Sequence, residues 1–460
     1  MNCFPLRRTV RIGLALTLLV ALMAFVARSA VAQQPVADSS VRLTLGEAVR
    51  LAARQNAAVE GARARIDAAM ARVTQRRADL LPNVSAAISE RGVTTNSATF
   101  PIDFPTAPGQ RPLFDPNGSI LGPVNAFDAR VRVAQTLFDP AARTRVRTAR
   151  TGVAAATADV ANIVDLVAQA AANAYLAVLR ADAVYTARLA DSTLAAELLG
   201  IAQGQLTAGT GIALDVTRAR SQLTGARTQL IIARNERDRT RVDLARTLGL
   251  PLVRIELADA LASLPTAEPM SEATALDGAS RNRKDIRTLD LQVTAAREQA
   301  AAIRDERFPT IGVFAGEGLS QRNGRSYLPT YDWGIQLSLP IFDGFRRQGR
   351  VSEQVSTARD LEIRAKDLRA QVDADVRSAT LNLRSSSEVV GAARERLTLA
   401  EQEVAQARER FQAGVSGNAD VITASITLNT ARTQLVDALT SYQVSRVALA
   451  RAQGSIATLD

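Results

Sequence analysis

Two stretches of this chain run for some seventy residues without a strong helix breaker after the first turn, and nothing else in the sequence limits its fold as tightly. Asp139 to Gly209 spans 70 residues and Asp343 to Gly414 spans 71. At a rise of 1.5 Å per residue each predicts a helix on the order of 100 Å long. That is far beyond the few turns usual in globular domains. Each helix should end at its glycine and reverse direction. Apolar residues make up 47% of the chain and aromatics only 4%. The apolar content is mostly alanine and leucine, a mixture that favours long helices.

The two stretches belong to an internal repeat. Leu137-Phe138-Asp139 is matched by Ile341-Phe342-Asp343, at an offset of 204. Gln205-Leu206-Thr207-Ala208-Gly209 is matched by Arg410-Phe411-Gln412-Ala413-Gly414, at an offset of 205. Six residues beyond each glycine stands Asp215 or Asp420, followed by Val216 or Val421. Upstream, Leu81-Pro82 corresponds to Phe308-Pro309. One short motif recurs by chance. Three in the same order, with nearly equal spacing between the last two, point to duplication.

The segments after the glycines carry the clearest periodicity. Val216, Ala219, Leu223, Ala226, Leu230 and Ala233 are spaced alternately three and four apart. Val421, Ala424, Leu428, Ala431, Leu435, Ala438 and Tyr442 repeat that spacing. A period of 3.5 is the seam of a left-handed coiled coil. Alanine layers let helices approach closely and leucine layers supply the knobs. Asp215 and Asp420 fall just inside the returning helices, where a carboxylate suits the positive helix end.

Strand candidates are short and paired. Residues 84–93 and 127–137 flank a loop in the first repeat, and residues 311–319 and 331–341 do so in the second. Trp333, Ile335, Leu337 and Leu339 alternate with Gly334, Gln336 and Ser338. Ala129, Val131 and Val133 alternate with Arg130, Arg132 and Ala134. One apolar face and one polar face describe a strand between lipid and water, and ten residues cross a bilayer when tilted. The segment 94–125, with Pro101, Pro105, Pro108, Pro112, Pro116 and Pro123, is expected to be a long external loop. Four strands cannot close a water-filled barrel. An open sheet in lipid leaves its edges unpaired, so the chain needs copies of itself.

The N-terminus has the make-up of a cleaved signal peptide over residues 1–32. Arg7, Arg8 and Arg11 form the charged region, Ile12 to Val26 the apolar run, and Ala30-Val31-Ala32 the small-x-small site. Cys3 precedes the apolar run, so it is not a lipid-modified first residue of the mature chain. Removing this segment, with its four arginines and no acid, lowers the net charge from +10 to +6. The remaining charges of both signs alternate through helical stretches, the pattern of a solvated face and not of a nucleic-acid footprint. Histidine is absent and Cys3 is the only cysteine. Ser-His-Asp and Cys-His catalysis and Cys/His zinc sites are therefore excluded. No cofactor is implied. A carboxylate-only enzyme would need a compact pocket, which this repeat does not offer.

In order, the chain reads helix, strand, strand, very long helix, glycine turn, helix and linker, then the same again. It resembles the TolC-like outer-membrane factor family. Leu43-Thr44-Leu45-Gly46-Glu47-Ala48 with Asn56 resembles that family's opening helix. Leu81-Pro82, Leu137-Phe138-Asp139, Ala208-Gly209 with Asp215, and Ile341-Phe342-Asp343-Gly344 resemble its other signposts. The resemblance implies a mainly α protein with a small β part and a two-fold internal repeat. Very long coiled-coil hairpins form a periplasmic tube. Four strands per protomer contribute to a 12-stranded outer-membrane β-barrel shared by three copies. The first repeat is placed at 33–248, with its long helix at 140–205 and return helix at 212–248. A linker, part of an equatorial belt, covers 249–280. The second repeat is placed at 281–460, with helices at 344–410 and 418–454.

The resemblance also implies a function. Such homotrimers are passive exit ducts of tripartite efflux pumps or type I secretion systems. An inner-membrane pump supplies energy and a periplasmic adaptor docks on the helical tips. Here the tips are Ala208, Gly209, Thr210 and Gly211, and Ala413, Gly414, Val415, Ser416 and Gly417. These glycines end the helices and also permit close approach by a partner. Acidic residues ring the family's closed periplasmic mouth. Asp420 falls on such a position, Asp215 is its first-repeat equivalent, and both also fit helix capping. Thr423 occupies a place that is acidic in some members. The tyrosine and arginine that latch some members are replaced by Phe411 and Ser416, so the mouth is expected to be held by packing and Asp420. A competing reading, a periplasmic coiled-coil scaffold without channel activity, explains the helices but not the paired strands.

Overall fold

The computed structural model describes residues 41–99, 118–251, 255–264 and 271–456. The expected signal peptide, the interior of the 94–125 loop and part of the linker, including Pro265 and Pro269, lie outside the described residues. A small separate unit contains residues 41–42 and 255–256. They belong to a two-stranded sheet of β1 (Val41–Leu43) and β4 (Ile255–Leu257). Everything that follows concerns the larger unit.

Its duplication is visible in element lengths. Helices α1 (Leu45–Gln55) and α2 (Ala57–Ala78) have 11 and 22 residues. Helices α5 (Glu272–Asn282) and α6 (Lys284–Asp305) have the same 11 and 22. The long helices α3 (Pro140–Thr207) and α7 (Arg346–Gln412) have 68 and 67. The return helices α4 (Ala213–Leu248) and α8 (Asn418–Gln453) have 36 each. Between α2 and α3 lie strands β2 (Asn83–Asn96) and β3 (Ile120–Phe138); between α6 and α7 lie β5 (Thr310–Arg322) and β6 (Leu328–Ser338).

Local chemistry starts these helices. Thr44 and Glu47 form a reciprocal capping box on α1, which satisfies two amides that have no partner inside the helix. Asp139 caps α3 by accepting from the Ala142 amide at 2.9 Å, and Pro140 supplies a first residue already fixed in helical φ. The second copy differs. Gly344 and Phe345 both adopt left-handed φ, near 65°, so α7 begins at Arg346 and not at 344. Asp343 still accepts from the Arg347 amide at 3.0 Å. A bulky residue in this region is strained by about 1–2 kcal/mol.

Side-chain layers hold the hairpins. In α8 Val421, Ala424, Leu428, Ala431, Ala438 and Tyr442 are buried and Leu435 is half-buried, against α7 residues such as Ala393, Ala400 and Val404. In α4 Ala219, Leu223 and Ala233 are buried. Helix α3 contains a stretch apolar and long enough to cross a membrane by composition, half of it buried in the protein. The whole helix is over three times the roughly 20 residues that a bilayer requires. Near its middle Tyr175 is fully buried, with its single hydroxyl proton shared between the Leu43 carbonyl at 2.9 Å and the Asp259 carboxylate at 2.8 Å.

The four strands form an antiparallel sheet in the order β2-β3-β5-β6. Among all residues of these strands only Gly316 is buried. The strands extend beyond the expected boundaries. β2 runs to Asn96 and β3 starts at Ile120, so both ends of the expected 94–125 loop are paired strand. Pro123 misleads the sequence reading because it sits where the register shifts between Val93 and Thr95, and an unpaired bulge position needs no amide donor. β5 runs to Arg322, three residues past expectation. β6 is displaced to 328–338: it accepts Pro329 because it is an edge strand, and it stops before Pro340. The return helix expected from 212 begins at Ala213, with Ile212 in extended conformation as its cap residue.

Candidate functional site

The two hairpin tips are built alike. Gly209 and Gly414 take φ of 74° and 71°, a region open to glycine and costly for other residues. The Gly209 amide donates to Leu206 and the Thr210 and Gly211 amides to Gln205; the Gly414 amide donates to Phe411 and the Val415 and Ser416 amides to Arg410. These bonds use carbonyls that the last helical turn leaves free. Ala208 and Ala413 close the helices through Gly204 and Glu409. Gly211 is needed for a second reason: a Cβ there would come within 2.9 Å of the Gln205 Cβ. Gly417 is the extended cap residue of α8.

Within one protomer the tips are joined by two bonds that no sequence motif announces. The Gln205 amide donates to the Phe411 carbonyl at 2.9 Å. The Asn418 amide donates to the Asp215 carbonyl at 2.9 Å, and Asn418 is fully buried. The Phe411 ring packs with Leu198, Ala202, Ala219 and Val421, so it joins α3, α4, α7 and α8 by apolar contact. The Ser416 hydroxyl is buried without a hydrogen-bond partner among the described residues. Asp215 lies 3.8 Å from Arg218 and makes no side-chain cap on its own helix. Asp420 is exposed, its carboxylate without a partner among the described residues, while Thr423 turns its hydroxyl back to the Ala419 carbonyl at 2.9 Å. Leu206, Ile212, Leu214 and Val415 leave apolar side chains exposed around the tips.

Above the tips, α3 and α8 meet through buried charge. Asp191, with 2% of its side chain exposed, accepts from Arg432 at 2.9 Å and from Arg188 at 3.2 Å. Arg188 also donates to Thr433 at 3.1 Å. Burial pushes the Asp191 carboxyl above its usual range, and the two guanidiniums pull against that shift. A pair separated by 241 residues leaves no local signal, so the sequence reading missed it.

The sheet has two faces of different character. Val84, Ala86 and Ile88 pair across to Val133, Val131 and Ala129, and Val313 and Ala315 pair with Ile335 and Trp333. These side chains share one apolar face, where Trp333 is 76% and Ile335 is 74% exposed. Glu317 interrupts it beside Tyr331. The opposite face carries an ion network. Arg130 and Arg132 each donate to Asp332 at 2.8 Å, and Arg130 lies 3.3 Å from Asp128. Gly316 gives the network room, since a Cβ there would lie 2.6 Å from the Asp332 Oδ1. Paired charge on one side and exposed apolar bulk on the other is the arrangement of a wall between water and lipid. Both edges, β2 and β6, are unpaired among the described residues.

Comparison with known proteins agrees with this geometry. The sequence matches the family described as Outer membrane efflux protein over residues 48–250 and 275–455. Protein CyaE of Bordetella pertussis is 26% identical over 440 residues, covering 92% of this chain and 86% of that protein. Alkaline protease secretion protein AprF of Pseudomonas aeruginosa is 27% identical over 254 residues, covering 52% of this chain and 51% of that protein. The solved outer-membrane channel OprN superposes with a TM-score of 0.73 at 19% identity, over 89% of this chain and 90% of that one.

Proposed function

This chain belongs to the outer membrane efflux protein family, and from that premise we propose that three copies form a passive exit duct for an efflux pump or type I secretion system. One observation carries the reading. A sheet with an apolar face, a charged face and two open edges continues directly into helices of 68 and 67 residues that end in paired tips. Edge pairing between copies, β6 of one to β2 of the next, removes the unpaired backbone that lipid does not tolerate. Three copies give twelve strands. The long hairpins then line a periplasmic conduit whose mouth is at the tips.

The roles within the mouth follow. Asp420, exposed and unpaired in its own protomer, supplies one carboxylate per copy to a ring of three that favours cations. Asp215 is its counterpart on the first tip and Thr423 adds no charge. Phe411 holds the two hairpins together by packing in place of a polar latch, with Gln205 and Asn418 adding the bonds. The tips, Ala208 to Gly211 and Ala413 to Gly417, receive a periplasmic adaptor, and the exposed Leu206, Ile212, Leu214 and Val415 give it apolar purchase. An inner-membrane pump provides the energy. Nothing in the arrangement performs covalent chemistry. The similarity to an alkaline protease secretion protein favours a polypeptide cargo.

Planar-bilayer recording of the detergent-purified mature protein, with its mass in detergent, tests the reading. Discrete cation-preferring steps from a trimer are expected. Asp420→Ala should lower the cation preference without abolishing the steps. A water-soluble product that never inserts would overturn the duct in favour of a periplasmic scaffold.

A further inference from the structure

Charges on the ion-bearing face of the sheet balance over three neighbouring rows taken together, and a fourth row is left with an excess. Ser85, Arg132, Gly316 and Asp332 form one row across the four strands; Ala87, Arg130, Gly318 and Thr330 form the next; Ser89, Asp128, Ser320 and Leu328 form a third. Two arginines and two aspartates occupy these rows, and all four are joined by the ion pairs to Asp332 and Asp128. The row beyond, on the side away from the helices, is different. Arg91 pairs with Ala126, and Ala126 pairs with Arg322. The two arginines therefore share a face and a level, about 10 Å apart across the small side chain of Ala126. Both are exposed, and neither has an acidic partner among the described residues.

The surrounding sequence does not cancel this charge. Residues 100–117, which join β2 to β3, contain Asp103, Asp115 and Arg111. Arg325, in the turn between β5 and β6, adds a further positive charge. The end of the sheet remote from the helices is thus cationic in every copy.

We propose that Arg91 and Arg322 of three copies form a cationic collar at the outer opening of the duct, which binds the carboxylate or phosphate groups of departing solutes. The collar rests on the duct reading, since only closure of three sheets brings six arginines around one lumen. A guanidinium matches oxyanions in geometry and stays charged at every physiological pH. A narrow, low-dielectric wall concentrates its field on the lumen. The Asp420 carboxylates lie a full long helix away, on the order of 100 Å, against a screening length of about 8 Å at physiological salt. The two ends therefore act independently: the inner mouth admits cations, and the outer collar retains anions.

The test uses the full mature protein in detergent, with dye-labelled poly-L-glutamate as the anionic probe and poly-L-lysine as its control, followed by fluorescence anisotropy. Arg91→Gln with Arg322→Gln should weaken poly-L-glutamate binding about tenfold or more and remove its salt dependence. Arg220→Gln with Arg227→Gln, which deletes equal charge from exposed positions of α4, should change it no more than about twofold. Should the double collar variant fail to assemble, Arg322→Gln alone should show about a threefold loss. Equal effects from both pairs, or no effect from the collar pair in a conducting trimer, would overturn the collar and leave the duct standing. A preparation that neither trimerises nor conducts would overturn both.

Discussion

Replacing Arg432 by methionine tests how the two hairpins of one protomer are held together. The substitution keeps the alkyl stem and removes the charge. Asp191 then keeps Arg188 at 3.2 Å and the side-chain amide of Asn429, with 2% of its side chain reachable by solvent. Breaking a buried pair by deleting one partner costs about 3–5 kcal/mol. Arg432 is 26% exposed and a second arginine remains, so a loss of about 2 kcal/mol follows. Its location is specific: Asp191 lies about 27 Å above Gly209 along α3, and the loss falls on the α3–α8 seam. Hydrogen exchange of the detergent-purified protein reads it directly, because local opening is measured segment by segment. At about 1.4 kcal/mol per tenfold, amides of residues 425–440 should exchange roughly 25-fold faster. Adding Asp191→Asn should restore most of the protection, because the stranded charge is gone. A change below about threefold, or a double variant no better than Arg432→Met alone, would refute the buried-charge account.

Other outcomes are expected. Asp165 is buried, and desolvation raises its carboxyl above the ordinary value of 3.8 despite Arg451 nearby. The folded state therefore gains from protonation, a contribution complete below about pH 4 and lost as pH rises through the raised value. Asp165→Asn should accordingly raise the melting temperature at pH 7 and converge with the parent near pH 4, in a pH series of thermal melts. Gly414→Ala should destabilise the second tip by about 1–2 kcal/mol, since φ there is 71°. Gly417→Ala, at φ −76° with open space around the new methyl, meets no steric conflict and should cost less than Gly414→Ala, about 0.5–1 kcal/mol for the poorer N-cap, by the same exchange measurement. Trp333→Lys should cost about 2–4 kcal/mol if that face meets lipid. Ser85→Lys, on the charged face, should leave the heat-modifiable mobility of the assembled protein unchanged.

Periodic and repeated features were legible in the sequence. The 3.5-residue seam from Val421 to Tyr442 marks the layers that are buried, and the alternation from Trp333 to Leu339 marks the exposed apolar face. What escaped notice has no local signature. Arg432 with Asp191 and Asn418 with Asp215 join residues more than 200 apart. Gln205 was visible only as one position of a repeat motif; its bond depends on how α3 meets α7. The delayed start of α7 depends on Phe345 accepting a left-handed backbone, which propensity argues against. The prolines of 94–125 point to loop throughout, yet Pro123 lies at a strand irregularity that tolerates it. For the candidate mouth, Phe411 and Ser416 were picked out by position, and the packing of Phe411 was expected in kind. The backbone bonds that accompany it were not.

A sheet in which only Gly316 is buried has consequences for the order of events during maturation. The helical hairpins bring together neighbours in sequence and bury their own seams, so they can form early and alone. The sheet contributes no interior to a single chain, and its outer strands end in unsatisfied backbone. In the proposed trimer its formation waits for encounter with other copies and with lipid, which would make maturation depend on chain concentration. In the interval, Trp333, Ile335 and Val84 form a sticky surface in an aqueous compartment, where an escort that shields extended segments would govern yield more than the stability of the finished assembly does.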